Sequence, residues 1–267
     1  MRTEVGDVRV HHVEHGDGVP FVVLHGAGVD HREVEGALEP MLGGLTGVRR
    51  VYPDLPAHGA TTTPPGLTSN DGVVEVLLDF VDEVAGDGPF LVGGHSLGGY
   101  LAGAVAARRR DRVAGLALVC PARRTARDVP PPTVVRDDAD ARDVLDPADV
   151  AGFEEYLVVR TARTARCYRD LVVPGAGLTD EDAFLRVYES WALRDAPGPD
   201  DPQPYPTIVL AGRQDSSVGW SDPATLVDVY PHGTLAVLDG AGHALLHEQP
   251  DVVAALLRHW LAGVGVR

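Results

Sequence analysis

One serine, one histidine and one aspartate, far apart in the chain, have the types and neighbours that nucleophilic catalysis needs. Ser96 stands in Gly94-His95-Ser96-Leu97-Gly98, a G-x-S-x-G pattern. An apolar run, Phe90-Leu91-Val92, precedes it, and an Ala-rich segment of helical character follows to Arg108. A strand that turns at once into a helix holds such a serine strained, with its Oγ raised above the sheet. Glycines two residues to either side leave room for the neighbouring backbone. A serine hydroxyl is a weak nucleophile, so it needs a base to take its proton and a carboxylate to orient that base.

The elements around Ser96 decide which residues can meet it. A hairpin is expected over residues 3–15, with His11, His12 and His15 on a solvated face. Short apolar runs read as strands at Phe21–Leu24, Val48–Tyr52, Phe90–Val92, Val113–Cys120, Thr207–Leu210 and Thr234–Leu238. Between them, Asp30 caps a helix to Leu42, and Ser69, Asn70 or Asp71 caps one to Ala85. A further helix is expected near Pro223–Val229 and a closing amphipathic one over Pro250–Ala262. This alternation predicts an α/β fold: a mostly parallel sheet of about eight strands with helices on both faces. Residues 121–206 break the rhythm. No strand is expected there, and helices are expected near 147–159, 161–172 and 179–193. The segment reads as a helical cap inserted into a core formed by residues 1–120 and 207–267.

In an open parallel sheet, residues able to reach Ser96 lie on loops at the carboxyl ends of strands. Of eleven histidines, His25, His58, His95 and His243 are so placed. His243 follows the last strand and is the expected base; His95, inside the turn, is expected to point away from the serine side chain. Asp215 follows Thr207-Ile208-Val209-Leu210-Ala211-Gly212 and is the expected carboxylate. Structural roles are expected for Asp239 and Asp54. Two backbone N–H groups should stabilise the oxyanion: that of Leu97, and one from His25-Gly26-Ala27-Gly28, where Ala27 is chosen and Gly28 is the alternative. Candidate substrate-binding residues are His25, Gly26, His95, Arg123, Arg124, Tyr156 and Trp191. His247, four residues after His243, has no third ligand in view, so no metal is expected.

Composition narrows the partners. The chain has 267 residues and a formal net charge of −16, and all 23 basic residues are arginine. Nucleic acid and anionic membranes are therefore not expected partners. No run of apolar residues is long enough to cross a membrane. The two cysteines are too few for a disulfide scaffold, and there is no signal-like apolar core at the start, so a cytoplasmic location is expected. Arg160, Arg163, Arg166 and Arg169 form a basic stripe in the insertion, expected to pair with nearby acids rather than to bind a carboxylate substrate.

Taken together, His25-Gly26-Ala27-Gly28, Asp54-Leu55-Pro56-Ala57-His58-Gly59, Gly94-His95-Ser96-Leu97-Gly98-Gly99, Gly212-Arg213-Gln214-Asp215 and Gly242-His243 resemble the α/β-hydrolase superfamily. They are most similar to its capped branch of carboxylesterases, enol-lactone hydrolases and cofactor-free haloperoxidases. The resemblance implies a serine hydrolase without cofactor, acting on a small-molecule ester, lactone or thioester. A serine at the turn argues against epoxide hydrolases and dehalogenases, which use aspartate there. His95 and Leu97 stand where C–C bond hydrolases usually carry Asn and Met. C–C hydrolysis, perhydrolase or haloperoxidase-like chemistry and a non-catalytic ligand-binding role remain the alternatives, and a homodimer is left open.

Overall fold

Successive residues of a strand point to opposite faces, and here both faces are covered. Val22 and Leu24 enter one buried cluster while Phe21 and Val23 enter another. Val92 and Leu91, Leu118 and Ala117, and Val209 and Ile208 divide in the same way.

The computed structural model describes residues 1–123, 129–196, 198 and 200–266. The first half holds β1 (Arg2–Val5), β2 (Val8–His15), β3 (Val19–Leu24), α1 (His31–Leu42), β4 (Val48–Pro53), α2 (Asn70–Ala85), β5 (Phe90–His95), α3 (Leu97–Arg108) and β6 (Val113–Val119). Then come β7 (Arg136–Asp137), a 3-10 turn at Ala141–Val144, α4 (Val150–Tyr156), β8 (Val159–Arg160), α5 (Ala162–Cys167), a π turn at Tyr168–Val172, α6 (Val173–Ala176) and α7 (Glu181–Tyr188). The chain closes with β9 (Thr207–Gly212), α8 (Ser221–Ala224), a 3-10 turn at Thr225–Asp228, β10 (Gly233–Leu238), α9 (Leu245–Glu248) and α10 (Pro250–Gly263).

Eight strands form one sheet in the order β1-β2-β4-β3-β5-β6-β9-β10. The first two pairings are antiparallel and the rest are parallel. Buried residues of α2 and α3 pack in one cluster, and those of α1 and α10 in the other. This is the α/β architecture the sequence predicts. The starts of α1 and α2 follow from their caps: Asp30 accepts from Arg32 N–H at 3.0 Å and Ser69 from Gly72 N–H at 3.2 Å.

Four expectations need correction. Residues 121–206 are not strand-free, since β7 and β8 pair in parallel through Arg136–Val159 and Asp137–Arg160. The helices there are shorter than periodicity suggests; α4 stops where Leu157 turns extended (ψ 130°). The expected helix at 223–229 is α8 followed by a 3-10 turn. The hairpin histidines do not share one solvated face either: His11 and His15 are half-buried and His12 is buried. His12 is 2% exposed and stands edge-on to Phe80, while His11 reaches Asp54 and His15 reaches Glu35.

The turn from β5 to α3 depends on backbone approaching backbone. Ser96 has φ 54° and ψ −119°. A Cβ on Gly98 would lie 2.3 Å from the carbonyl oxygen of Leu24 and 2.4 Å from that of His25. Gly103, in the same helix, has only the Tyr230 hydroxyl at 3.4 Å. Gly98→Ala is therefore expected to lose about 1–3 kcal/mol of stability in urea unfolding. Gly103→Ala should be neutral or gain up to about 1 kcal/mol, as Ala does in a helix interior.

Candidate active site

Loops from the carboxyl ends of β3, β5, β9 and β10 meet above the sheet. Ser96 occupies the N-cap position of α3 but its Oγ caps no N–H. It lies instead 3.0 Å from Nε2 of His243. Nδ1 of His243 lies 2.8 Å from Oδ2 of Asp215. The other carboxylate oxygen of Asp215 accepts from the N–H groups of Ser217 and Val218 at 2.9 and 3.0 Å. Burial alone would raise the pKa of Asp215, but the charge and hydrogen bond of His243 and these two N–H groups lower it. A carboxylate facing Nδ1 fixes the proton there, so Nε2 turns its lone pair to the serine hydroxyl. Such a line can pass a proton from hydroxyl to imidazole.

Neither Ala27 nor Leu97 donates its N–H to a hydrogen bond among the described residues. The N–H of Gly28 is taken: it donates to Nε2 of His58 at 3.0 Å. His58 can accept because its Nδ1 donates to the carbonyl of Pro56 and because burial, with His25 close by, lowers its pKa to about 3. His25 is likewise neutral, donating through Nδ1 to the carbonyl of Gly26 and accepting from Leu55 N–H. It is wholly buried and holds the β3 and β4 loops together.

A cleft of about 230 Å³ opens over Ser96, with Gly26, Ala27, Glu33, His95, Tyr156 and His243 among its walls. Of the candidate substrate-binding residues, Gly26, His95 and Tyr156 line it. His25 does not, nor does Arg123, which lies by Gly99 and Tyr100, nor Trp191, whose ring packs on Tyr100 at 5.6 Å. Arg124 falls outside the described residues. The His95 ring makes no hydrogen bond to Ser96 Oγ among the described residues; it packs against the His243 ring with 4.7 Å between centroids.

Three participants escape a sequence reading. Glu33 is a buried carboxylate at the cleft wall; its one signal was a charge on the face of α1 shared with Ala37 and Met41. His58 occupies the Gly28 donor. Glu248 accepts from the N–H groups of Val158, Val159 and Gly242, tying the segment after α4 to the residue before His243. Asp239, as expected, is structural and accepts from Gln214 at 2.8 Å. Among the described residues, two groups bring three ligand-capable atoms within 4.8 Å: His95, Cys120 and His243, and His11, His31 and Asp54. In both, the histidines are already committed to carboxylates, carbonyls or Ser96.

The sequence profile of the Alpha/beta hydrolase family matches residues 21–256. The chain belongs to the alpha/beta hydrolase family. It is similar to Lipase LipV of Mycobacterium tuberculosis, 41% identical over 103 residues that span 36% of each chain. It is also similar to Monoacylglycerol lipase ABHD6 of Bos taurus, 26% identical over 232 residues, covering 79% of this chain and 66% of the relative. Among solved structures, an alpha/beta superfamily hydrolase from Oenococcus oeni PSU-1 superposes with a TM-score of 0.87 at 24% identity over 99% of both chains. No helix among the described residues is long and apolar enough to cross a membrane.

Behind the β3 loop, Asp54 accepts from the ring and the N–H of His31 and from Ala60 N–H. Burial would raise its pKa, but the His31 and backbone hydrogen bonds hold it well below the carboxylate range. Burial opposes the charge on His31, yet Asp54 raises its pKa. The carboxylate's contribution to stability is therefore present above about pH 4 and lost as pH falls; the imidazole's is present below about pH 6.5 and lost as pH rises through its raised value. Asp54→Asn should cost ~3 kcal/mol at most between about pH 4 and 6.5, with the loss shrinking on either side, as read from urea unfolding across pH.

Proposed function

We propose that this hydrolase-family protein cleaves a small-molecule carboxylic ester, lactone or thioester through an acyl-enzyme on Ser96. The observation that carries the reading is the unbroken line from Ser96 Oγ through the His243 ring to a carboxylate with no solvent exposure. Ser96 attacks the acyl carbon while His243 takes its proton. Asp215 holds the imidazole tautomer and offsets the charge that forms. The N–H groups of Ala27 and Leu97 stabilise the oxyanion; the commitment of Gly28 to His58 favours Ala27 over Gly28. His243 returns the proton to the leaving group, and water completes the cycle.

Residues 121–206 act as a cap over the core of 1–120 and 207–267, with Tyr156 as their contribution to the cleft wall. A substrate without a carboxylate suits the arginine stripe. Arg160 donates to the carbonyls of Leu157 and Glu154, Arg163 to those of His247 and Glu248, and Arg169 pairs with Asp170. Both lipases similar to this chain bear names that speak of acyl esters, which agrees with this substrate class.

A fluorophosphonate probe, mapped by mass spectrometry, is expected to label Ser96 in the wild type and nothing in Ser96→Ala. Asp215→Asn should lower kcat for p-nitrophenyl acetate by about 10⁴-fold, because the imidazole then takes the wrong tautomer. A well-folded wild type that neither labels nor turns over the ester overturns the reading and favours a ligand-binding role for the fold.

A further inference from the structure

Under the catalytic line lies a second pair of charges. Glu33, on α1, is 1% exposed, and its Oε1 lies 2.8 Å from Nδ1 of His95. Neither atom makes an aligned hydrogen bond among the described residues, so the contact is close without being a hydrogen bond. The other carboxylate oxygen has only Gly26 N–H at 3.4 Å. On the far side of the ring, His95 Nε2 is 2.9 Å from the main-chain carbonyl of His243.

These contacts restrict the protons. A carbonyl oxygen only accepts, so Nε2 of His95 carries hydrogen. A bare Nδ1 would then set its lone pair against a buried carboxylate. An ionised Glu33 needs a counter-charge in this dry setting. His25 is neutral because its Nε2 accepts from Leu55, and burial holds the His247 pKa down to about 4. His95 is the remaining partner.

We propose that His95 is a charged positioning residue: as an imidazolium balanced by Glu33, it grips the backbone carbonyl of His243 and holds a positive charge against that base's ring. The idea rests on His243 being the base. Groups facing His95 are Glu33 from α1, His25 after β3, Cys120 after β6, Asp215 after β9, His243 after β10 and His247 on α9. Burial pulls the His95 pKa down, but the charge of Glu33 and the His243 carbonyl raise it; the same pairing brings Glu33 to about 2. A cation held against that ring disfavours a second positive charge beside it.

The test is ¹⁵N NMR of the histidine rings. In the wild type at neutral pH, both ring nitrogens of His95 should give protonated shifts; one bare nitrogen overturns the proposal. This reading needs no variant and no turnover. A second arm uses His95→Gln together with Glu33→Gln, where the glutamine amide can still reach the His243 carbonyl but both charges are gone. The acid-side midpoint of the fluorophosphonate labelling rate against pH should then move upward, with about three- to ten-fold slower labelling on that limb. An unchanged or lowered midpoint overturns the proposal even if activity falls, since loss of packing alone would not raise it. Fluorophosphonate labelling of wild-type Ser96 is scored separately, so failure of the nucleophile assignment is distinct from failure of this one.

Discussion

The contact between the first turn of α3 and the end of β3 is the constraint on which the rest depends. Gly98 lets the helix meet the carbonyls of Leu24 and His25 with no side chain between. That approach puts the N–H of Leu97 beside the β3 loop and raises Ser96 into a backbone conformation costing about 1–3 kcal/mol. The other non-glycine residues at positive φ among those described are Ala57 and Cys120, on the loops after β4 and β6. Strain thus gathers at the carboxyl edge, while the strands beneath are relaxed and apolar. The sheet's two cores hold these loops in place.

A second regularity concerns buried carboxylates. Asp54, Asp215, Glu33 and Glu248 are all under 10% exposed. These four are met by histidine or by backbone N–H, whereas the equally buried Asp30 is paired with Arg32. This choice fits a chain without lysine, whose arginines are spent mainly on surface acids and carbonyls. It also fits the chemistry. Histidine and amide hydrogens fix a carboxylate's direction over short distances, whereas a long cation would bring its own bulk into a cleft of about 230 Å³.

Much of this was legible because it is local. Strand runs, Asp30 and Ser69 caps, the glycine spacing around Ser96, and the positions of Asp215 and His243 at strand ends all follow from neighbouring residues and the parallel sheet. What was not legible depends on contacts across the chain. The engagement of the Gly28 N–H depends on His58, thirty residues away. Glu33 looks like a surface charge in the first turn of a helix until α1 is laid on the sheet. The partners of the His95 ring, Glu33 and the His243 carbonyl, come from elements 62 and 148 residues distant and so were not legible. The helices of residues 121–206 are short and broken by extended residues and a π turn, so periodicity overran their ends.

Glu248 gives the molecule a mechanical asymmetry. One carboxylate clasps Val158 and Val159 on one side and Gly242, next to His243, on the other. Moving the segment away from that seam would strip two amide hydrogens from a buried acceptor and pull on the loop that carries His243. Along that seam the two segments share one carboxylate, so neither can shift without loosening the other.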